Sequence, residues 1–189
     1  GATVTLTAAA MRHVAALRLQ RGDALTLFSG DGHEYAAVIT TLTKREAIAK
    51  VTAVSAVDRE SPLAVMLAQG ICAADRMDLL VQKATELGVA AIQPLVTART
   101  VIRLSSDRQE RREQHWQAVA IAACEQCGRN RVPRIDPPLA PPAALVIARD
   151  CATRLLLDPE ATQSLAARCV PIAPGTALAL LVGPEGGLS

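Results

Sequence analysis

The hydrophobic rhythm of this chain changes once, at Asp58-Arg59-Glu60-Ser61-Pro62, and the patterns on either side cannot belong to one uniform fold. Before the break, apolar runs of strand length follow one another. Thr3 to Thr7 alternates apolar and hydroxyl residues, as a half-buried strand does. Ala24 to Phe28 and Glu34 to Thr41 flank Ser29-Gly30-Asp31-Gly32-His33, whose two glycines supply the positive φ a hairpin loop needs. Glu46 to Val54 is a third such run, and Met11 to Leu19 inserts one helix. Short strands in series must avoid open edges, so residues 1–58 are expected to form a compact β-barrel.

From residue 62 to residue 189 the pattern is strand, helix, strand. Leu63 to Ala68 is an apolar run of strand length, and Asp75 to Leu87 carries Met77, Leu80, Val81, Ala84 and Leu87 on one helical face with Gly88 as its stop. Ala91 to Val96 is the next buried strand. A second helix follows, with Trp116, Val119, Ala120, Ala123 and Cys127 as its apolar face and Gly128 at its end. Arg154 to Leu157 and Ala177 to Val182 are two further strands, with a short helix near Thr162 to Arg168 between them. Pro137-Pro138 and Pro141-Pro142 read as an extended connection. Buried strands alternating with helices predict an α/β domain built on a mostly parallel sheet.

Composition removes several classes of function. Half the residues are hydrophobic and 20% are charged, which excludes general disorder. Phe28, Tyr35 and Trp116 are the whole aromatic complement, too few for an aromatic cage or a base-stacking platform. The net charge of +2 announces no whole-chain basic field. No run approaches the ~18 apolar residues of a membrane span, and the start lacks a signal-peptide layout. Five thinly spread cysteines argue against a disulfide framework and point to a reducing, cytoplasmic setting.

Two segments could carry chemistry. Leu178 to Val182 runs straight into Gly183-Pro184-Glu185-Gly186-Gly187, so a buried strand delivers a glycine-rich loop to the carboxyl edge of the sheet, where open α/β folds bind ligands. Its glycines let backbone N–H groups come close to a ligand, although the same residues also suit an ordinary turn. It matches neither a P-loop nor a dinucleotide fingerprint. The second segment is Glu125-Gln126-Cys127-Gly128-Arg129-Asn130-Arg131-Val132-Pro133. Its arginines either complement the dipole at the end of a helix or contact phosphates and base edges. Between residues 99 and 134, eight arginines stand against four acids, so the positive charge is concentrated there. Cys124 and Cys127 form a C-x-x-C without a second ligand pair, and His13, His33 and His115 are dispersed, so no metal site is expected.

Taken in order, Val81-Gln82-Lys83-Ala84-Thr85-Glu86-Leu87-Gly88-Val89, Ile92-Gln93-Pro94, Thr97-Ala98-Arg99-Thr100, the Glu125 to Pro133 run and Gly183 to Gly187 resemble the RsmE family of 16S rRNA methyltransferases, in the SPOUT superfamily. His13, Leu17-Arg18, Gly22-Asp23 and Phe28-Ser29-Gly30 extend the resemblance to the amino-terminal part. The resemblance implies a small PUA-like β-barrel that helps bind RNA over 1–58, followed by a SPOUT methyltransferase domain over 62–189. That domain would be an α/β fold with a mostly parallel sheet and a trefoil knot, working as a homodimer. The implied reaction is methyl transfer from S-adenosylmethionine (S-adenosyl-L-methionine) to N3 of a uridine in 16S rRNA of the small ribosomal subunit, in the cytoplasm, without a metal or a membrane.

By the same resemblance the cofactor loops are Leu157-Asp158-Pro159-Glu160 and Val182-Gly183-Pro184-Glu185-Gly186-Gly187. Uridine N3 carries a proton that must be removed, and Arg129 is the residue expected to stabilise charge on the uracil oxygens. RNA contacts are expected from Arg12, Arg18, Lys83, Arg99, Arg129, Asn130 and Arg131. Family members continue after Gly-Pro-Glu-Gly-Gly with a helix and a Leu-Gly-x-Arg-Ile-Leu-Arg-type motif that supplies a third cofactor loop and closes the knot. The sequence stops at Ser189 before such a motif. The 62–189 domain is therefore expected to be carboxy-terminally incomplete, with the knot-closing segment absent, and to bind cofactor weakly. The competing expectations are another SPOUT enzyme acting on a different RNA, a non-catalytic RNA-binding protein, and a C-x-x-C zinc or thiol module.

Overall fold

The computed structural model describes residues 1–97, 106–169, 172–184 and 187. The chain divides into two compact units, Gly1–Arg59 and Glu60–Ser189.

In the first unit, β1 (Thr3–Thr5), β2 (Ala24–Phe28), β3 (His33–Leu42) and β4 (Ala47–Ala56) form an antiparallel sheet in the order β1-β4-β3-β2. The β2–β3 hairpin turns through Gly30 and Gly32, at φ 87° and 91°. Two register shifts in the β3–β4 ladder bend the sheet. Helix α1 (Ala8–Ala16) then packs Val14 against Leu6, Ala37, Ile39, Ala47 and Ala49. Among the described residues no ladder joins β1 to β2, so α1 supplies part of the enclosure that a continuous barrel ladder was expected to give. The helix starts earlier than its apolar spacing suggested, because the Thr7 hydroxyl accepts the Ala10 N–H at 3.2 Å and so caps a run of alanines. It ends before Leu19, with Arg18 in the left-handed region at φ 56°.

The second unit is a five-stranded parallel sheet in the order β7-β6-β5-β9-β8. In chain order the elements are β5 (Ala64–Gly70), α2 (Ala74–Glu86), β6 (Ala91–Leu95), α3 (Ser106–Cys127), β7 (Arg134–Ile135), α4 (Pro141–Ile147), a 3₁₀ turn (Ala148–Asp150), β8 (Thr153–Leu157), α5 (Leu165–Cys169) and β9 (Ala177–Val182). Alternation along β5 sends Val65 and Leu67 towards α2 and α3, where Met77, Val81, Ile92, Trp116 and Ala120 form the larger core. Met66 and Ala68 face the other way, onto Ala144 of α4 and Ala148. The sheet is therefore covered on both faces, which is why its strands read as continuous apolar runs. Helix α4 occupies a stretch expected to be extended. Pro141 stands in its first turn, where the missing N–H costs nothing.

Candidate active site

From β5 the chain builds outward to β6 and β7, then crosses back to lay β8 and β9 on the opposite side of β5. That reversal makes a topological switch point, and a crevice at the carboxyl ends of the strands beside it is where such sheets take ligands. A cleft of about 830 Å³ opens at the carboxyl ends of β8 and β9, the strands laid down after the reversal. One wall is the end of β8 and the residues after it, from Leu155 to Pro159. Opposite stand Val182, Gly183, Pro184 and Gly187, while Gln163, Ser164 and Arg168 come from the α5 segment. The volume lies within the range of small-molecule sites, and Leu156 and Leu157 offer apolar surface that is 53% and 37% exposed.

Local chemistry shapes both walls. Asp158 Oδ1 accepts the Glu160 N–H at 3.0 Å, an Asx turn that stops β8 and swings the chain over the cleft. The Gly187 N–H donates to the Pro184 carbonyl at 2.9 Å, with Gly187 at φ 86°. Of the residues expected to hold cofactor, Leu157, Asp158, Pro159, Val182, Gly183, Pro184 and Gly187 line this one cleft, and Glu160 adjoins it through the Asx turn. Glu185 and Gly186 lie outside the described residues.

Comparison with known proteins places this geometry. A family model described as an RNA methyltransferase domain matches residues 59–189, and one described as an RNA methyltransferase PUA domain matches residues 6–52. A crystal structure of a ribosomal RNA small subunit methyltransferase E from Neisseria gonorrhoeae, bound to S-adenosyl methionine, is 37% identical. It superposes with a TM-score of 0.89, covering 100% of this chain and 77% of that one. The chain belongs to the ribosomal RNA small subunit methyltransferase E family. A putative methyltransferase from Legionella pneumophila, in complex with bound SAM, is also 37% identical, with a TM-score of 0.91 and the same coverage of the two chains. The methyltransferase E of Bacillus subtilis is 28% identical over 99% of this chain and 75% of its own length, and that of Synechocystis 33% identical over 98% and 60%. The chain thus spans between three-fifths and three-quarters of the length of these two curated relatives.

Within this methyltransferase E fold the remaining candidates are scattered, and Arg129 is not among the residues that line the cleft. It is buried, 6% exposed, with Nε donating to Glu60 Oε1 at 3.1 Å, Nη2 to Glu60 Oε2, and Nη1 to the Thr85 carbonyl at 2.7 Å. Glu60 precedes β5, Thr85 lies in the last turn of the helix that leads into β6, and Arg129 precedes β7. All three therefore sit at the amino edge of a parallel sheet whose cleft is at the carboxyl edge. Within one chain this geometry ties Arg129 into an ion pair with Glu60, at the edge of the sheet away from that cleft. Asn130 is likewise buried, while Arg131 is exposed. Lys83 is exposed but bonded to Glu86 at 2.7 Å, which holds that carboxyl below its ordinary range. Arg12 and Arg18 are exposed on the first unit, and Arg99 lies outside the described residues.

Cys124 is buried, and burial pushes its thiol up to about 11, far from a reactive thiolate. Cys127, expected on the apolar stripe, is exposed in the last turn of α3. Sequence reasoning missed Gln69 and Gly70, which meet the glycine-rich loop from the end of β5. A strand-end glycine preceded by a buried glutamine was the available signal. Gln163, Ser164 and Arg168 carried no motif at all.

Proposed function

We propose that this chain methylates N3 of a uridine in 16S rRNA of the small ribosomal subunit, with S-adenosylmethionine as donor. The observation that carries the reading is the cleft between the ends of β8 and β9, in a chain that superposes along its whole length on two S-adenosylmethionine-bound relatives. The residues present fit such a group. Leu156 and Leu157 offer apolar surface to an adenine ring, Asp158 offers a carboxylate to a ribose or an ammonium, and Gly183 and Gly187 offer backbone without side-chain bulk. Leu157, Asp158, Pro159, Glu160, Val182, Gly183, Pro184, Glu185, Gly186 and Gly187 would hold it. When bound, the donor supplies a methyl group on a sulfonium.

The chain's own task is to orient the uridine and exclude water. Transfer forms one N3–C bond, breaks one S–C bond and releases the N3 proton, whose loss the surroundings must favour. Exposed Arg12, Arg18 and Arg131 supply charge for the RNA backbone, where affinity rests on phosphate contacts. A second copy of the chain as partner is supported by Leu145, Val146 and Ile147 of α4, which are 54%, 55% and 42% exposed. A small-subunit RNA substrate puts the reaction in the cytoplasm.

Incubation with donor carrying tritium on the methyl group, with small subunits from a strain lacking this activity, tests the proposal. Label in 16S rRNA is the expected result. Binding of subunits without label transfer would overturn the enzymatic reading in favour of a protein that only binds RNA.

A further inference from the structure

The β5–β9 ladder ends at the pair Gln69 and Val182, so Gly183 and Pro184 leave it with no strand partner, and Pro184 has no N–H to donate. Both nevertheless line the cleft. We propose that Gln69 and Gly70, at the carboxyl end of β5, are positioning residues that set the place of the Gly183–Pro184 segment and thereby the affinity for the donor. The inference rests on the donor-site reading above.

Gly70 is buried, and a Cβ built on it would stand 2.3 Å from Pro184 Cδ, 2.5 Å from Pro184 N and 3.0 Å from the Gly183 carbonyl carbon. Those neighbours are a rigid ring and main chain, so no side-chain rotation relieves the contact. Gly70 is not among the residues at positive φ, so glycine is required here for space rather than for conformation. An alanine keeps the strand and moves the loop. Restoring ordinary contact demands a shift of about 1 Å, and displacements of that size cost on the order of a hundredfold in a site built on close approach.

Gln69 acts beside it. Its neighbours along the same face of β5 are Val65 and Leu67, in an apolar core where an unbonded amide would be unfavourable. Its Nε2 donates to the Gly70 carbonyl at 3.0 Å and to the Gly183 carbonyl at 3.4 Å. One residue admits the loop to the strand end by having no side chain, and the other holds it by an amide.

Titration of S-adenosylhomocysteine into wild type, Gly70→Ala, Gln69→Leu and Gly88→Ala, each with a melting temperature, tests this. Gly88 stands at the amino edge, so its alanine variant is a control for loss of stability alone. Gly70→Ala is expected to raise Kd tenfold or more, Gln69→Leu several-fold, and Gly88→Ala less than twofold. In methyl transfer, Gly70→Ala should raise KM for the donor and leave KM for small subunits unchanged. Equal affinity in wild type and both β5 variants would overturn the inference while leaving the donor site standing, as would a Gly88→Ala loss matching that of Gly70→Ala. If Gly70→Ala does not fold, Gln69→Leu alone decides. No binding by wild type would overturn the donor-site reading and this inference with it.

Discussion

Arg129 is engaged by its own chain. A guanidinium in an arginine-rich run suggests an anion partner, and this one has an anion partner, the Glu60 carboxylate of its own chain. Removing one member of such a pair strands the other in a buried setting, at a cost of about 3–5 kcal/mol. Arg129→Ala and Glu60→Ala should therefore each destabilise the second unit on that scale, and the double variant should cost clearly less than their sum in a denaturant cycle. Additive losses would mean that the pair contributes nothing as a pair. Asp31 makes a different case. The His33 backbone N–H first, then the Tyr35 hydroxyl, hold its carboxyl at about 2, below its ordinary 3.8. Because the folded value is the lower one, its stabilisation is present above the unfolded value and disappears as pH falls through the folded one. The melting-temperature gap between wild type and Asp31→Asn should thus narrow between about pH 5 and about pH 2, and a gap independent of pH would contradict this.

Elements with a strong period were legible before the structure. Met77 and Val81 mark α2, and the run from Leu178 to Val182 marks β9, because burial on one or both faces writes itself into the spacing. Gly88 was legible as a helix stop, and it stands at φ 91° where a Cβ would meet Ser61 Cβ at 3.1 Å. Gly88→Ala should cost about 1–2 kcal/mol by urea denaturation, and no loss would mean that another residue adopts that conformation freely. Trp116 anchors α3 in the larger core at 3% exposed, so Trp116→Ala should cost about 3–5 kcal/mol. A loss under about 1 kcal/mol would show that the helix packs elsewhere. Helix α4 was not legible, since paired prolines mark a helix's first turn and an extended segment alike. Nor was the start of α1, where three alanines carry no period and only the Thr7 cap speaks. The approach of Pro184 to Gly70 joins residues far apart in sequence, and no local pattern records it.

At the scale of the whole molecule, strand order decides what the motifs mean. The sequence located the Gly183 loop after a buried strand, yet only the order β7-β6-β5-β9-β8 puts that strand between β5 and β8. The same order sends the Glu125 to Pro133 run to the opposite edge, so two motifs of one resemblance serve different ends of the sheet. The carboxyl-edge cleft is proposed to bring a methyl donor to uridine N3. Nucleoside mass spectrometry of 16S rRNA tests it most directly, using small subunits that lack the modification, incubated with the protein and S-adenosylmethionine. N3-methyluridine is expected with wild type, and a strongly reduced yield with Gly70→Ala at limiting donor. A methylated nucleoside of any other kind, or none, would contradict the proposal.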